Sequence, residues 1–133
     1  METVVKEFVE NWRAAVEGGD PSATRELLAD EMTFSSPVLF KPSSNRAYIE
    51  TVLGFVEQTL ENFEYIEEYE QAGGAALVFR ASVGDLTVEG VDFFKINDEG
   101  KTTDLKVMIR PLNGAMALAQ IMKDHFAAME PTQ

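Results

Sequence analysis

The stretch Val88-Glu89-Gly90-Val91-Asp92-Phe93-Phe94-Lys95-Ile96 sets a carboxylate in the middle of what reads as a β-strand. Strands disfavour Asp, and Val and Phe surround this one. Alternation puts Val88, Gly90, Asp92, Phe94 and Ile96 on one side. Thr87, Glu89, Val91, Phe93 and Lys95 take the other. The first set is the more apolar, so Asp92 is expected to face the core or a cavity. Desolvation there penalises the charged carboxylate and raises its pKa. A neutral buried acid can donate a hydrogen bond to a carbonyl or to a developing oxyanion. The alternative is that Asp92 accepts hydrogen bonds from Tyr48 or Trp12 and only shapes the core, because structural networks also bury carboxylates.

Few other residues offer chemistry. The chain has no cysteine, which excludes disulfides and thiolate nucleophiles. With one histidine and no clustered ligand spacing, no metal site is expected, and no cofactor is implied. That histidine, His125, lies near the end of a predicted helix, where a cation is favoured. Arg110 precedes Pro111 at a strand end and is expected to pair with an acidic side chain rather than to clamp an anionic ligand. Met108, Met116 and Met122 are expected to fill the core.

Net charge is −12 over 133 residues. No basic stripe offsets it, so nucleic acid and anionic membranes are poor partners. No apolar run approaches the length of a membrane span. The opening residues METVVKEFVENW show no basic-then-apolar leader, and a cytoplasmic location is expected.

The elements that must position Asp92 follow from period and punctuation. Val5, Phe8, Val9, Trp12, Ala15 and Val16 form a helical stripe over 2–18, stopped by Gly18-Gly19. Asp20 and Pro21 open a second helix running to about Ala29. Met32–Ser36 is a short extended segment, and 37–44 is loop. Ser44 or Asn45 caps a third helix over 46–60, with Tyr48, Ile49, Val52, Leu53, Val56 and Leu60 on one face. The pattern then alternates. Strands are expected over 63–71, 75–83, 86–96 and 102–109, joined by Gly-containing turns. A last helix covers 113–129. Helices, then consecutive antiparallel strands, then a helix make an α+β fold in one domain, 1–133.

Three stretches carry a resemblance: GGDPSATRELLADEMTFSSPV (Gly18–Val38), ALVFRASV (Ala76–Val83), and GVDFFKINDEGK (Gly90–Lys101) leading into DLKVMIRPL. With the order of elements, they resemble the nuclear transport factor 2-like superfamily, also called SnoaL-like, over nearly the whole chain. The resemblance implies a cone-shaped, curved antiparallel sheet with N-terminal helices on its concave face and a C-terminal helix. It implies no single activity, because one fold hosts many. In the ketosteroid isomerase branch, the oxyanion-hole aspartate falls on Asp92. The proton-abstracting aspartate falls on Ser36, which cannot do that work, and the donor tyrosine falls on Trp12, whose indole can only donate. Steroid isomerase activity is therefore not expected. The Arg and first Asp of the epoxide-hydrolase branch fall on Arg80 and Ser82 and its second Asp near Val107, so that triad is absent. The polyketide-cyclase acid would fall on Asp104, which alternation turns away from the Leu105/Val107/Ile109 face.

The preferred reading is a small-molecule-binding domain. Its mostly apolar cavity holds Asp92, with Trp12, Phe34, Ser36, Tyr48, Phe55, Phe79, Phe94, Leu105, Val107 and Ile109 around a ligand that bears a carbonyl or hydroxyl. The alternative is an isomerase, cyclase or dehydratase of a small carbonyl compound, with Asp92 as general acid or oxyanion donor. In either case a homodimer through the outer sheet face is expected, because Val91, Phe93 and Met108 lie there among Lys and Glu.

Overall fold

The computed structural model describes residues 2–37 and 41–128. Part of the expected 37–44 loop and Met129 of the last expected helix lie outside the described residues. The chain order is α1 (Glu2–Glu17), α2 (Pro21–Arg25), β1 (Leu28–Ser35), α3 (Arg46–Thr59), β2 (Glu61–Gln71), β3 (Gly74–Val83), β4 (Leu86–Ile96), β5 (Thr102–Arg110) and α4 (Leu112–Ala128). No helix among the described residues is long and apolar enough to cross a membrane.

The sheet order is β1-β5-β4-β3-β2. Strands β2 to β5 form an antiparallel meander. Strand β1 adds to the edge of β5 in parallel, so the five-stranded sheet is mixed at that edge. This pairing corrects the expected helix through Ala29. The ELLA segment has good helix propensity, but α2 ends at Arg25 and β1 already starts at Leu28. The Thr102 N–H bonds the Leu27 carbonyl, and Leu28 registers with Thr102. Tertiary pairing with β5 outweighs a local preference of a few tenths of a kcal/mol per residue.

The caps are local and legible. The Asp20 side chain accepts from the Ser22 N–H and opens α2 with Pro21 at its first position. The Asn45 side chain accepts from the Tyr48 N–H and opens α3. Helices α1 and α3 lay their apolar stripes on one face of the sheet, and Phe8, Ile49, Val52, Leu77, Val88 and Leu105 are fully buried between them. The alternation read for β4 holds: Val88, Gly90, Asp92, Phe94 and Ile96 are all buried. Met122 is core, but Met108 and Met116 are 52% and 62% exposed. Met108 sits on the outer side of β5, and Met116 on the side of α4 away from the sheet, where a period-based reading has no second layer to offer.

Two glycines set how closely the layers approach. A Cβ at Gly90 would stand 2.3 Å from Phe79 Cζ and 2.7 Å from the Met108 carbonyl oxygen. A Cβ at Gly114 would stand 2.3 Å from Val88 Cγ1. The first lets the Phe79 ring lie across β4, and the second seats α4 on β4.

Candidate functional site

A cavity of about 270 Å³ opens between the helices and the inner face of the sheet. Trp12 and Val16 reach it from α1, and Val52, Leu53, Val56 and Glu57 from α3. Phe34 and Ser36 reach it from the end of β1, and Phe63 and Tyr65 from β2. Phe79, Asp92 and the row Leu105, Val107 and Ile109 form its sheet wall, with Leu118 and Met122 of α4 across from them. Among the described residues, no Lys, Arg or His lines it. The wall is therefore apolar and aromatic, with two carboxyl groups set into it.

Asp92 is 8% exposed. Burial pushes its carboxyl up to about 7, against a lowering hydrogen bond from Tyr65. The Tyr65 hydroxyl donates to Asp92 Oδ2 at 2.8 Å, and the Trp12 indole N–H donates to the Tyr65 oxygen at 2.9 Å. Burial, then the Asp92 charge, hold the Tyr65 hydroxyl well above its usual range, so it stays a phenol and a donor. Asp92, Tyr65 and Trp12 thus form one chain of hydrogen bonds from β4 through β2 to α1.

Sequence reasoning missed Tyr65. It offered Tyr48 or Trp12 as partners of Asp92; the partner is Tyr65, with Trp12 one step behind. Tyr65 and Asp92 sit on strands separated by β3, roughly 9–10 Å apart in the sheet plane. Tyr65 registers with Phe79 and Asp92 with Leu77, so the long phenol reaches across β3 to Asp92. An alternation reading of β2 puts Phe63 and Tyr65 inward. The register that brings Tyr65 beside Asp92 is interrupted by an irregularity between Tyr65 and Glu67.

Glu57 was also missed. It lines the cavity from α3, and burial raises its carboxyl against a lowering hydrogen bond from Thr24. Thr24 Oγ1 donates to Glu57 Oε2 at 3.2 Å, while Oε1 is buried with no hydrogen-bond partner among the described residues. The helical stripe gave no warning, because a Glu beside Val56 reads as the start of the solvent face.

Of the residues expected around a ligand, Trp12, Phe34, Ser36, Phe79, Leu105, Val107 and Ile109 line the cavity with Asp92. Three do not. Tyr48 is half-buried on the flank of α3 and packs on the core, one position off the Ile49–Val52 stripe. Phe55 faces α4, its ring 4.3 Å from that of His125. Phe94 lies under α1, its ring 5.0 Å from those of Phe8 and Trp12, which close it off. Arg110 pairs with Glu89 at 2.8 Å, and Arg80 lies on the outer face near Glu64 and Glu89.

No protein-family model matches the sequence, and no curated protein matches it. Solved structures do. A steroid delta-isomerase from Pseudomonas aeruginosa superposes with a TM-score of 0.90 at 27% identity, covering 99% of this chain and 98% of that one. An uncharacterized bacterial protein with a cystatin-like fold from Silicibacter pomeroyi has a TM-score of 0.83 at 30% identity, over 89% of this chain and 84% of that one. The chain belongs to the nuclear transport factor 2-like superfamily. A hypothetical protein with a ketosteroid isomerase-like fold from Catenulispora acidiphila, in complex with trimethylamine, has a TM-score of 0.63 at 18% identity, over 86% of this chain and 92% of that one. That likeness concerns the fold alone. Within the nuclear transport factor 2-like frame, the inner face of the sheet and the helices over it enclose the cavity that holds Asp92.

Proposed function

We propose that this nuclear transport factor 2-like domain binds a small, mostly apolar molecule in the cavity and anchors its polar group on Asp92. The observation that carries the reading is a buried carboxyl that faces an apolar cavity and, among the described residues, takes its hydrogen bond from Tyr65. A carboxyl kept there for packing alone costs stability that an apolar side chain of the same size would not. The presence of trimethylamine in a protein of this fold supports the same reading. The test is a thermal-shift panel of bicyclic compounds small enough for the cavity: 2-(aminomethyl)naphthalene, 2-acetonaphthone and 2-naphthoate. At least one raises Tm by mass action, and Val107→Phe, which fills the cavity, removes the shift. A flat panel, or shifts that Val107→Phe leaves intact, sinks the reading.

A catalytic version of the same site is favoured by the likeness to the steroid delta-isomerase and by a second acid, Glu57, in the wall. In it the domain is an isomerase, cyclase or dehydratase of a small carbonyl compound, and Asp92 serves as general acid or oxyanion donor. Turnover that survives Asp92→Asn unchanged excludes it.

A further inference from the structure

Hydrogen-bond donors and acceptors around the cavity are unequally spent. Trp12 has one donor, and it goes to Tyr65. Tyr65 has one donor, and it goes to Asp92. The Thr24 hydroxyl is shared between the Pro21 carbonyl and Glu57. Ser36 is half-buried and can serve in either sense, and Gln58 is exposed at the rim. Among the described residues, the buried carboxylate oxygen of the wall left without a partner is Oε1 of Glu57 on the helix side, while Asp92 on the sheet side takes the Tyr65 hydroxyl on Oδ2. Buried polar groups are satisfied in native structures, so the Glu57 oxygen calls for a donor that the described residues do not supply.

The surroundings select the charge of that donor. The carboxyls of Asp92 and Glu57 are both in the wall, and no basic side chain among the described residues lines it. The whole chain carries −12, which draws cations inward and repels anions. The rings of Trp12, Phe34, Phe63, Tyr65 and Phe79 line the space, and aromatic walls suit a cation better than an anion.

We propose that the natural ligand is a lipophilic amine, bound as its ammonium, whose N–H groups donate to Asp92 while its hydrocarbon body fills the aromatic cavity and Glu57 adds a second acid to the wall. The inference rests on the ligand-cavity reading above and deepens it. It assigns Glu57 as a second binding residue and excludes carboxylates and phosphates as ligands.

Protonation decides between an amine and a carbonyl ligand. A carbonyl needs the neutral, donating Asp92; an ammonium needs the ionised one. The titratable group in contact with Asp92 is Tyr65 on β2, which stays neutral, and Glu57 lines the same cavity from α3. Arg25 and Asp20 act on Glu57 from α2 and its cap, with opposite signs. As pH rises from 6 to 8 through about 7, the ionised share of Asp92 grows about tenfold.

The experiment is calorimetric titration of the full chain with 2-(aminomethyl)naphthalene, 2-acetonaphthone and 2-naphthoate at pH 6 and pH 8. The amine is expected to bind tightest, with affinity rising about tenfold between the two pH values. Glu57→Gln is expected to weaken the amine by at least about tenfold and leave the ketone unchanged. If that variant fails to fold, Thr24→Val, which removes the donor to Glu57 together with the bond to the Pro21 carbonyl, is expected to weaken the amine selectively as well. A ketone that binds tighter than the amine, or an affinity that falls with rising pH, overturns the amine assignment and leaves the cavity reading standing. An amine affinity that Glu57→Gln does not change overturns the role of Glu57. If none of the three binds, the cavity reading fails and the inference falls with it.

Discussion

Asp92 stores its own pH dependence. Its folded pKa of about 7 lies above the ordinary 3.8, because burial penalises the charge. Between those values the native state keeps a proton that the unfolded chain has lost. The Asp92 contribution to stability is therefore greatest below about pH 4, falls as pH rises, and levels off above about pH 7. At ~1.4 kcal/mol per unit of difference the fall amounts to a few kcal/mol. In chemical denaturation, Asp92→Asn should flatten this slope and be the more stable protein at pH 8. A less stable Asn variant at pH 8 would make Asp92 an ionised acceptor in a structural network. Tyr65→Phe acts differently. It removes the donor that lowers the Asp92 pKa and strands the Trp12 N–H. It should cost ~1–3 kcal/mol, and the pH-dependent fall should move to higher pH. At this scale Asp92 was legible, because a carboxylate at an apolar position of an alternating strand is a local anomaly. Tyr65 and Glu57 were not, because neither breaks its own element's pattern.

The helix caps and turns were legible in the same local way. Asn45 closes the first turn of α3, and Asn45→Ala should cost about 1 kcal/mol in thermal unfolding. The limit of local reading shows at β1, where the parallel ladder with β5 captures Leu28 and Ala29 from a helix-forming segment. Gly90 marks the other limit. Nothing in VEGVDFFKI says that an aromatic ring from β3 will lie against that backbone. Gly90→Ala should cost ~1–3 kcal/mol by forcing the Phe79 ring aside, and should narrow the cavity at its sheet wall. A variant with unchanged Tm would mean that the sheet shifts at no cost. Gly114→Ala should lift α4 from Val88 with a loss of similar size.

For the whole molecule, the outer sheet face is the feature with consequences. Tyr69, Phe93 and Met108 are exposed there, and they share one shallow depression with Lys95, Lys106 and Glu70. We propose this face as the contact of a homodimer, as its mix of aromatic, Met and charged side chains suits an interface. Sedimentation at micromolar concentration should give twice the chain mass, and Phe93→Glu should give a monomer; a monomeric wild type rejects the contact. The α+β fold, the order of its elements and the inward face of β4 were determined by the sequence alone. They depend on hydrophobic period, caps and turn residues, all written within a few positions of where they act. The Trp12–Tyr65–Asp92 chain, the place of Glu57 in the wall, and the exclusion of Tyr48, Phe55 and Phe94 from the cavity were decided only by the tertiary structure. These depend on the register of strands that are not neighbours and on the rotation of helices over the sheet. Both are fixed by packing contacts between residues tens of positions apart, to which no local pattern in the chain corresponds.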